Sequence, residues 1–339
     1  MVIYLKNVSI WKENILNNNY PTLNKNKNVD VLIIGGGITG ISTLYHLNKS
    51  NLNIMLVEQN KIGCGTTLNS TGKLTIMQND LIDKIRKSFN DEIALKYIKS
   101  QEYAINQISK VIETEKIDCN LTKTPAIIYT SKKDEINKIR NLAFFFLKNK
   151  LKIENIKLPN SKIAIQNNDS YLINPIKFIN GMLKKIKAPI FENTSIIKIE
   201  KKINFYLCHT KNNIIKAKKV VLASHYPFFL IPSIFPLKCS LEKSYLMAFK
   251  KSIKPISLIS YSVPFISIRT YNNYLIYLSQ THFINKSTCD YDNFKNLKKQ
   301  VKEQPDYLWS NIDLITNDGL PYIGKLKENL LIGTGYNTW

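Results

Sequence analysis

The chain has 339 residues, 44% of them apolar, and a formal net charge of +23. That is long enough for one large core or two domains and too apolar for wholesale disorder. It has no run of ~18 consecutive apolar residues, so a membrane-spanning helix is not expected, and the stretch Met1–Asn7 has no long apolar region of the kind a secretory leader needs. Five cysteines, Cys64, Cys119, Cys208, Cys239 and Cys289, are far apart and odd in number. That spacing excludes a disulfide scaffold or a paired-cysteine metal site and suits a reducing cytoplasm. The charge is carried by scattered lysines, with only Arg86, Arg140 and Arg269 as arginines. Lys, Asn and Ile are jointly abundant, as A/T-rich codons would write them, and arginine forks for bases and phosphates are scarce. No specific nucleic-acid partner is expected.

In chain order, residues 1–27 read as a polar arm, with Trp11 as its anchor. Residues 29–34 form a β-branched run of the kind buried on both faces of a sheet. Glycines follow, then an apolar-periodic helix over 38–49 and a second buried strand over 53–58 that ends in an acid. Residues 80–117 have helical spacing, 125–130 read as a strand, 132–150 as a helix, and 175–187 as a short helix with proline in its first turn. Short strands are predicted at 195–200, 205–209, 214–218 and 219–224. A second block follows at 241–249, 256–261, 265–271 and 274–279, then a helix over 291–302, a turn at 318–321 and a strand at 330–332.

The chemistry starts at Gly35-Gly36-Gly37-Ile38-Thr39-Gly40, a G-x-G-x-x-G between strand and helix. Gly35 permits the tight turn, Gly37 lets backbone approach a pyrophosphate, and Gly40 lets helix pack on strand. Ile38 and Thr39 open the helix, whose free N–H groups and positive dipole end suit phosphates. Glu58 lies eighteen residues beyond Gly40 at a strand end, where its carboxylate can accept ribose hydroxyls. An acid there disfavours a phosphorylated ribose but does not separate FAD from NAD. The following Gly65, Thr66 and Thr67, with Ser70, Thr71 and Gly72, form a small, hydroxyl-rich stretch able to wrap a pyrophosphate. Lys73 sits beside it, as a phosphate partner or near a flavin. Cys64, a lone cysteine, reads as chemically inert.

Together with Ala223-Ser224-His225-Tyr226-Pro227-Phe228, Asp318-Gly319-Leu320-Pro321-Tyr322-Ile323-Gly324 and Gly333-Thr334-Gly335-Tyr336-Asn337-Thr338-Trp339, these segments give the chain a family resemblance. It resembles the D-amino-acid-oxidase-like FAD-dependent oxidoreductases, which include glycine and sarcosine oxidases. More narrowly, it resembles bacterial gamma-glutamylputrescine oxidoreductase-like members. The resemblance runs from about residue 9 to residue 339. It implies an α/β fold in which a Rossmann-type FAD-binding domain (28–80, 170–225 and 315–339) interleaves with a strand-rich antiparallel substrate domain (81–169 and 226–314). It implies FAD as cofactor, Ile196 offering backbone to adenine, Ala223 and Ser224 beside the cofactor, and Gly333, Thr334 and Gly335 approaching the flavin. The expected reaction is hydride transfer from the C–N carbon of an amine or amino acid to flavin N5.

On the substrate side, His225, Tyr245 and Arg269 are the candidates, with Arg269 suited to pair with a carboxylate. No metal is expected. Gly72 stands where the resembled family usually has alanine, a mild change by sequence. That family continues past the Asn-x-Trp segment with a Gly-Met-Thr-like stretch and a helix, so this chain reads as a shortened version. The alternatives are a degenerate flavin fold with weak or no catalysis, an NAD-linked dehydrogenase with one contiguous sheet, and a flavoprotein-like RNA-associated protein supported by charge alone.

Overall fold

The computed structural model describes residues 8–15, 19–226, 235–284 and 289–339. Met1–Asn7, and Pro227 and Phe228 of the motif above, lie outside the described residues.

The strand Lys27–Ile34 forms the centre of the first sheet because its apolar side chains are buried on both faces. It pairs in parallel with Ile54–Val57 on one side and with Ile214–Leu222 on the other. Ile190–Phe191 extends the parallel set beyond Ile54–Val57. The nine-residue strand Ile214–Leu222 was expected as two, because Lys216, Lys218 and Lys219 interrupt its apolar run. It stays continuous because those lysines point to solvent while Ile215, Ala217 and Val220 are buried. This strand forks. Its first half pairs antiparallel with Tyr206–His209, and its last residues pair in parallel with Leu330–Thr334. The helix Ile38–Leu47 packs on the sheet through Ile41 and Leu44, both fully buried.

The second sheet has eight strands and is almost wholly antiparallel. Cys239–Lys250 lies one strand in from an edge, between the edge strand Tyr307–Thr316 and Tyr274–Phe283. Tyr307–Thr316 was not foreseen. Its pattern is broken by polar Asn311 and Asp313, yet both are buried. The expected helix over 80–117 is two, Leu81–Ser88 and Asp91–Thr114. They divide at Asn90, whose extended backbone and side chain cap the second at Ile93 N, 2.9 Å away. The helix Pro175–Leu183 starts on Asn174, whose side-chain Oδ1 accepts from Ile176 N and Lys177 N at 3.1 Å each.

Trp11 anchors the N-terminal arm. It is fully buried, donates from Nε1 to the Ser70 carbonyl at 2.8 Å, and meets Tyr271 edge to face with centroids 4.6 Å apart.

Candidate cofactor and substrate cavity

A cavity of about 1320 Å³ lies between the two sheets and opens onto the glycine turn. Small-ligand sites typically occupy ~300–1,000 Å³, so this one has room for a large cofactor and a substrate together.

The turn is shaped by close contacts. Gly35 has φ +115°, and a β-carbon there would stand 2.6 Å from the Ala223 carbonyl oxygen. Gly40 does not reach the cavity; it is the contact between helix and strand. Gly37, Ile38 and Thr39 line the wall. Ile38 N–H donates to Thr67 Oγ1 at 3.0 Å, so Thr67 already satisfies one of the helix's free N–H groups. Glu58 accepts from Gly36 N at 2.7 Å and Asn60 N at 2.8 Å. A carboxylate has about four acceptor sites, which leaves capacity for hydroxyls. Gly65 lies in open space, with no atom within 4 Å of a β-carbon built on it. Residues at Gly37 and Gly65 thus leave a cradle that side chains would fill. Its backbone lining fits the pyrophosphate of a dinucleotide.

The remaining sequence candidates divide. Ile196, with Ser195 and Ile197, lines the same cavity, as do Thr66, Lys73, Ala223, Ser224, His225, Gly333, Thr334 and Gly335. Thr334 Oγ1 donates to the His225 carbonyl at 2.6 Å, and Thr39 Oγ1 to Tyr336 Oη at 3.2 Å, which ties the Gly333–Tyr336 segment to the glycine turn and its helix. His225 Nδ1 lies 3.2 Å from Thr66 Oγ1, and burial pushes its pKa down, so it is neutral near pH 7. Lys73 donates to the Leu258 carbonyl at 2.7 Å and Ser267 Oγ at 2.8 Å. Burial and then Arg269 push its pKa well below the usual lysine range. Burial also pushes the Cys64 thiol up, which disfavours the reactive thiolate.

Tyr245 and Arg269 do not line the cavity. Tyr245 is fully buried on the opposite face of its strand and donates to Asp290 at 2.6 Å. Successive strand residues alternate faces, so its neighbour Ser244 takes the cavity position instead. The buried guanidinium of Arg269 donates to the carbonyls of Thr71, Gly72 and Ile173, the last two at 2.8 and 2.9 Å. It holds the 71–72 turn from beneath rather than facing a carboxylate. Gly72 within that turn has φ +63°, and a β-carbon there would stand 2.4 Å from the Ile173 carbonyl oxygen. The glycine is therefore required, which corrects the reading of it as a mild change.

Sequence reasoning missed a polar wall. Asp80, Lys84, Glu242, Ser244, Asn311 and Asp313 all line the cavity. Asn311 Nδ2 donates to Asp313 Oδ1 at 2.9 Å, and Lys84 Nζ to the Thr316 carbonyl at 2.7 Å. Burial, with Glu242 nearby, raises the Asp313 pKa to about 7; burial also raises Glu242 and Asp80.

A parallel sheet, a glycine turn into a helix, an acid closing the next strand and a cavity against a second sheet define a dinucleotide-cofactor oxidoreductase fold. The family model for DAO, FAD dependent oxidoreductase, matches residues 30–339, and the chain belongs to that family. FAD is accordingly its cofactor. The Bacillus subtilis protein YhfW, provisionally named a Rieske 2Fe-2S iron-sulfur protein, is 26% identical over 350 residues, covering 97% of this chain and 69% of YhfW. Gamma-glutamylputrescine oxidoreductase of Escherichia coli is 30% identical over 102 residues, 30% of this chain and 24% of that protein. Glycine oxidase from Geobacillus kaustophilus superposes with a TM-score of 0.74 at 16% identity, over 92% of this chain and 90% of its own. Among the described residues, no helix is long and apolar enough to cross a membrane.

Proposed function

We propose that the protein oxidises the C–N bond of an amine or amino acid. The single observation that carries this reading is the continuity of the cavity, which runs from the glycine turn to the antiparallel sheet and so offers one space for cofactor and substrate. FAD would supply the two-electron acceptor for the hydride lost from the substrate's C–N carbon, while the substrate's own nitrogen lone pair closes a C=N bond. Water then hydrolyses the imine to a carbonyl compound and a free amine or ammonia. The names of two relatives, a gamma-glutamylputrescine oxidoreductase and a glycine oxidase, support the amine or amino-acid class.

In this reading Gly35, Gly37, Ile38 and Thr39 receive the pyrophosphate, Gly40 lets their helix pack against the strand, and Glu58 accepts the adenosine ribose hydroxyls. Ser195–Ile197 backbone borders the adenine. Ala223, Ser224 and Gly333–Gly335 flank the ring system, with Lys73 and the Gly65–Thr67 segment on the facing wall. His225 contributes a neutral imidazole that can hold a proton at one ring nitrogen while Thr66 fixes the other. The five cysteines are free, which agrees with a reducing, cytoplasmic setting for the reaction.

The test is an anaerobic mix of FAD-loaded protein with a panel of amines and amino acids, read as bleaching of the visible flavin bands. Bleaching by at least one panel member is expected. A flavin that stays oxidised with every amine and amino acid, yet is reduced by dithionite, sinks the reading.

A further inference from the structure

The polar wall has a specific layout. Glu242 on Cys239–Lys250 stands directly opposite Asp313 on Tyr307–Thr316, and directly opposite Phe283 on its other side. Two residues along, Ser244 stands opposite Asn311. Because strand neighbours two apart share a face, Glu242, Ser244, Asn311 and Asp313 form one patch, and all four line the cavity. Asp80 lines the same cavity, close enough for its charge to act on Glu242.

Like-charged residues directly opposite on adjacent strands repel, and structures avoid the arrangement unless something repays it. Lys84 offsets it only in part: it is the cation that Asp80 and Glu242 feel, and it also donates to the Thr316 carbonyl. Asp313 is 9% exposed, and among the described residues its one donor is the neutral Asn311 amide. Beside it, Ser244 is 2% exposed, and its hydroxyl has no hydrogen-bond partner among the described residues. A buried hydroxyl without a partner costs ~1–3 kcal/mol, so it points to a group that arrives from outside. In a chain with net charge +23, three carboxyl groups and a free hydroxyl converge on one cavity wall.

We infer that Asp80, Glu242, Ser244 and Asp313 form a subsite for an alkylammonium group of the substrate, and that the substrate is a diamine-type cation rather than a simple amino acid. The inference rests on the amine-oxidation reading above. The reacting nitrogen must be uncharged to release hydride, and a carboxylate wall favours the charged form. The wall therefore holds a second, non-reacting ammonium. Phe283, Leu278 and Phe265 line the same cavity and suit the methylene chain between the two nitrogens.

The experiment compares three four-carbon compounds by calorimetric titration of the FAD-loaded protein: putrescine, butylamine and γ-aminobutyrate. They place an ammonium, a methyl and a carboxylate at the far end. Putrescine is expected to bind at least about tenfold tighter than butylamine, with γ-aminobutyrate weakest. Asp313→Asn and Glu242→Gln, both near-isosteric, are expected to raise the putrescine Kd about tenfold each and to leave butylamine unchanged. Equal binding of the three, or carboxamide variants that leave putrescine binding intact, overturns the subsite. Putrescine that binds as stated but never bleaches the flavin supports the subsite and removes the oxidation reading. Bleaching by butylamine and putrescine with equal affinity does the reverse.

Discussion

A β-carbon built on Gly40 would stand 1.9 Å from the carbonyl oxygen of Gly35. The helix meets the turn at backbone contact, and the two glycines set how close the helix N-terminus comes to the cavity. Gly40→Ala must therefore push the helix off the strand. Overpacking of this kind costs ~1–3 kcal/mol or more, and loss of both soluble yield and melting temperature is expected. Gly37→Asp is a different case, since a β-carbon at 37 meets only Thr67 Oγ1, at 3.3 Å. That variant is expected to keep its melting profile and lose FAD, because a carboxylate would face the pyrophosphate. Flavin content beside a circular dichroism melt separates the two effects.

Gly65 offers a cleaner probe of the cofactor path. Its surroundings are empty, so Gly65→Leu has room to fold. FAD occupancy, read from absorbance after desalting, is expected to fall sharply with little change in the apoprotein melt. Unchanged occupancy would move the pyrophosphate away from this segment.

Arg269 is expected to act on stability rather than on substrate choice. Its removal takes a donor from the Thr71, Gly72 and Ile173 carbonyls, of which Gly72 keeps the Ile173 N–H, and takes a guanidinium from beside Trp11, 5.4 Å from the ring centre. Arg269→Met is expected to destabilise by about 2–4 kcal/mol by denaturant titration. The ratio of amine to amino-acid turnover should stay the same. A selective loss of carboxylate-bearing substrates would restore Arg269 to the substrate side.

These contrasts show what sequence reading could and could not reach. The glycine turn was legible because its chemistry is local: each glycine answers to a contact within the strand–turn–helix unit. Tyr245 and Arg269 were chosen by residue type, and type does not say which face a strand residue takes. A shift of one position puts Ser244 at the cavity and Tyr245 against Asp290. The strand Tyr307–Thr316 escaped notice because Asn311 and Asp313 point inward, where periodicity expects apolar side chains. The same two residues that hid the strand form part of the polar wall. Functional positions often break the local pattern that reveals an element.

Asp313 makes stability depend on pH with a definite sign. Burial pushes its folded pKa up to about 7, well above the ordinary carboxylate range. Folding thus favours the neutral acid, and the associated stability is full below about pH 4 and is lost as pH rises through 7. Asp313→Asn keeps a neutral side chain and an acceptor for Asn311. It is expected to melt a few degrees higher than the parent at pH 8. The gap should narrow as pH falls toward 5. A gap that widens on acidification would contradict the assignment.

The forked strand Ile214–Leu222 has a consequence for how the molecule is made. Its first half finds Tyr206–His209 a few residues upstream, but its second half waits for Leu330–Thr334. During synthesis the parallel sheet therefore keeps one open edge while Cys239–Lys250 and its neighbours emerge and pair. An unpaired edge of Val220, Val221 and Leu222 is the kind of surface chaperones shield, and distant pairings of this type slow folding. Premature release of the nascent chain before Leu330 would yield a protein with a built second sheet and an adhesive first one.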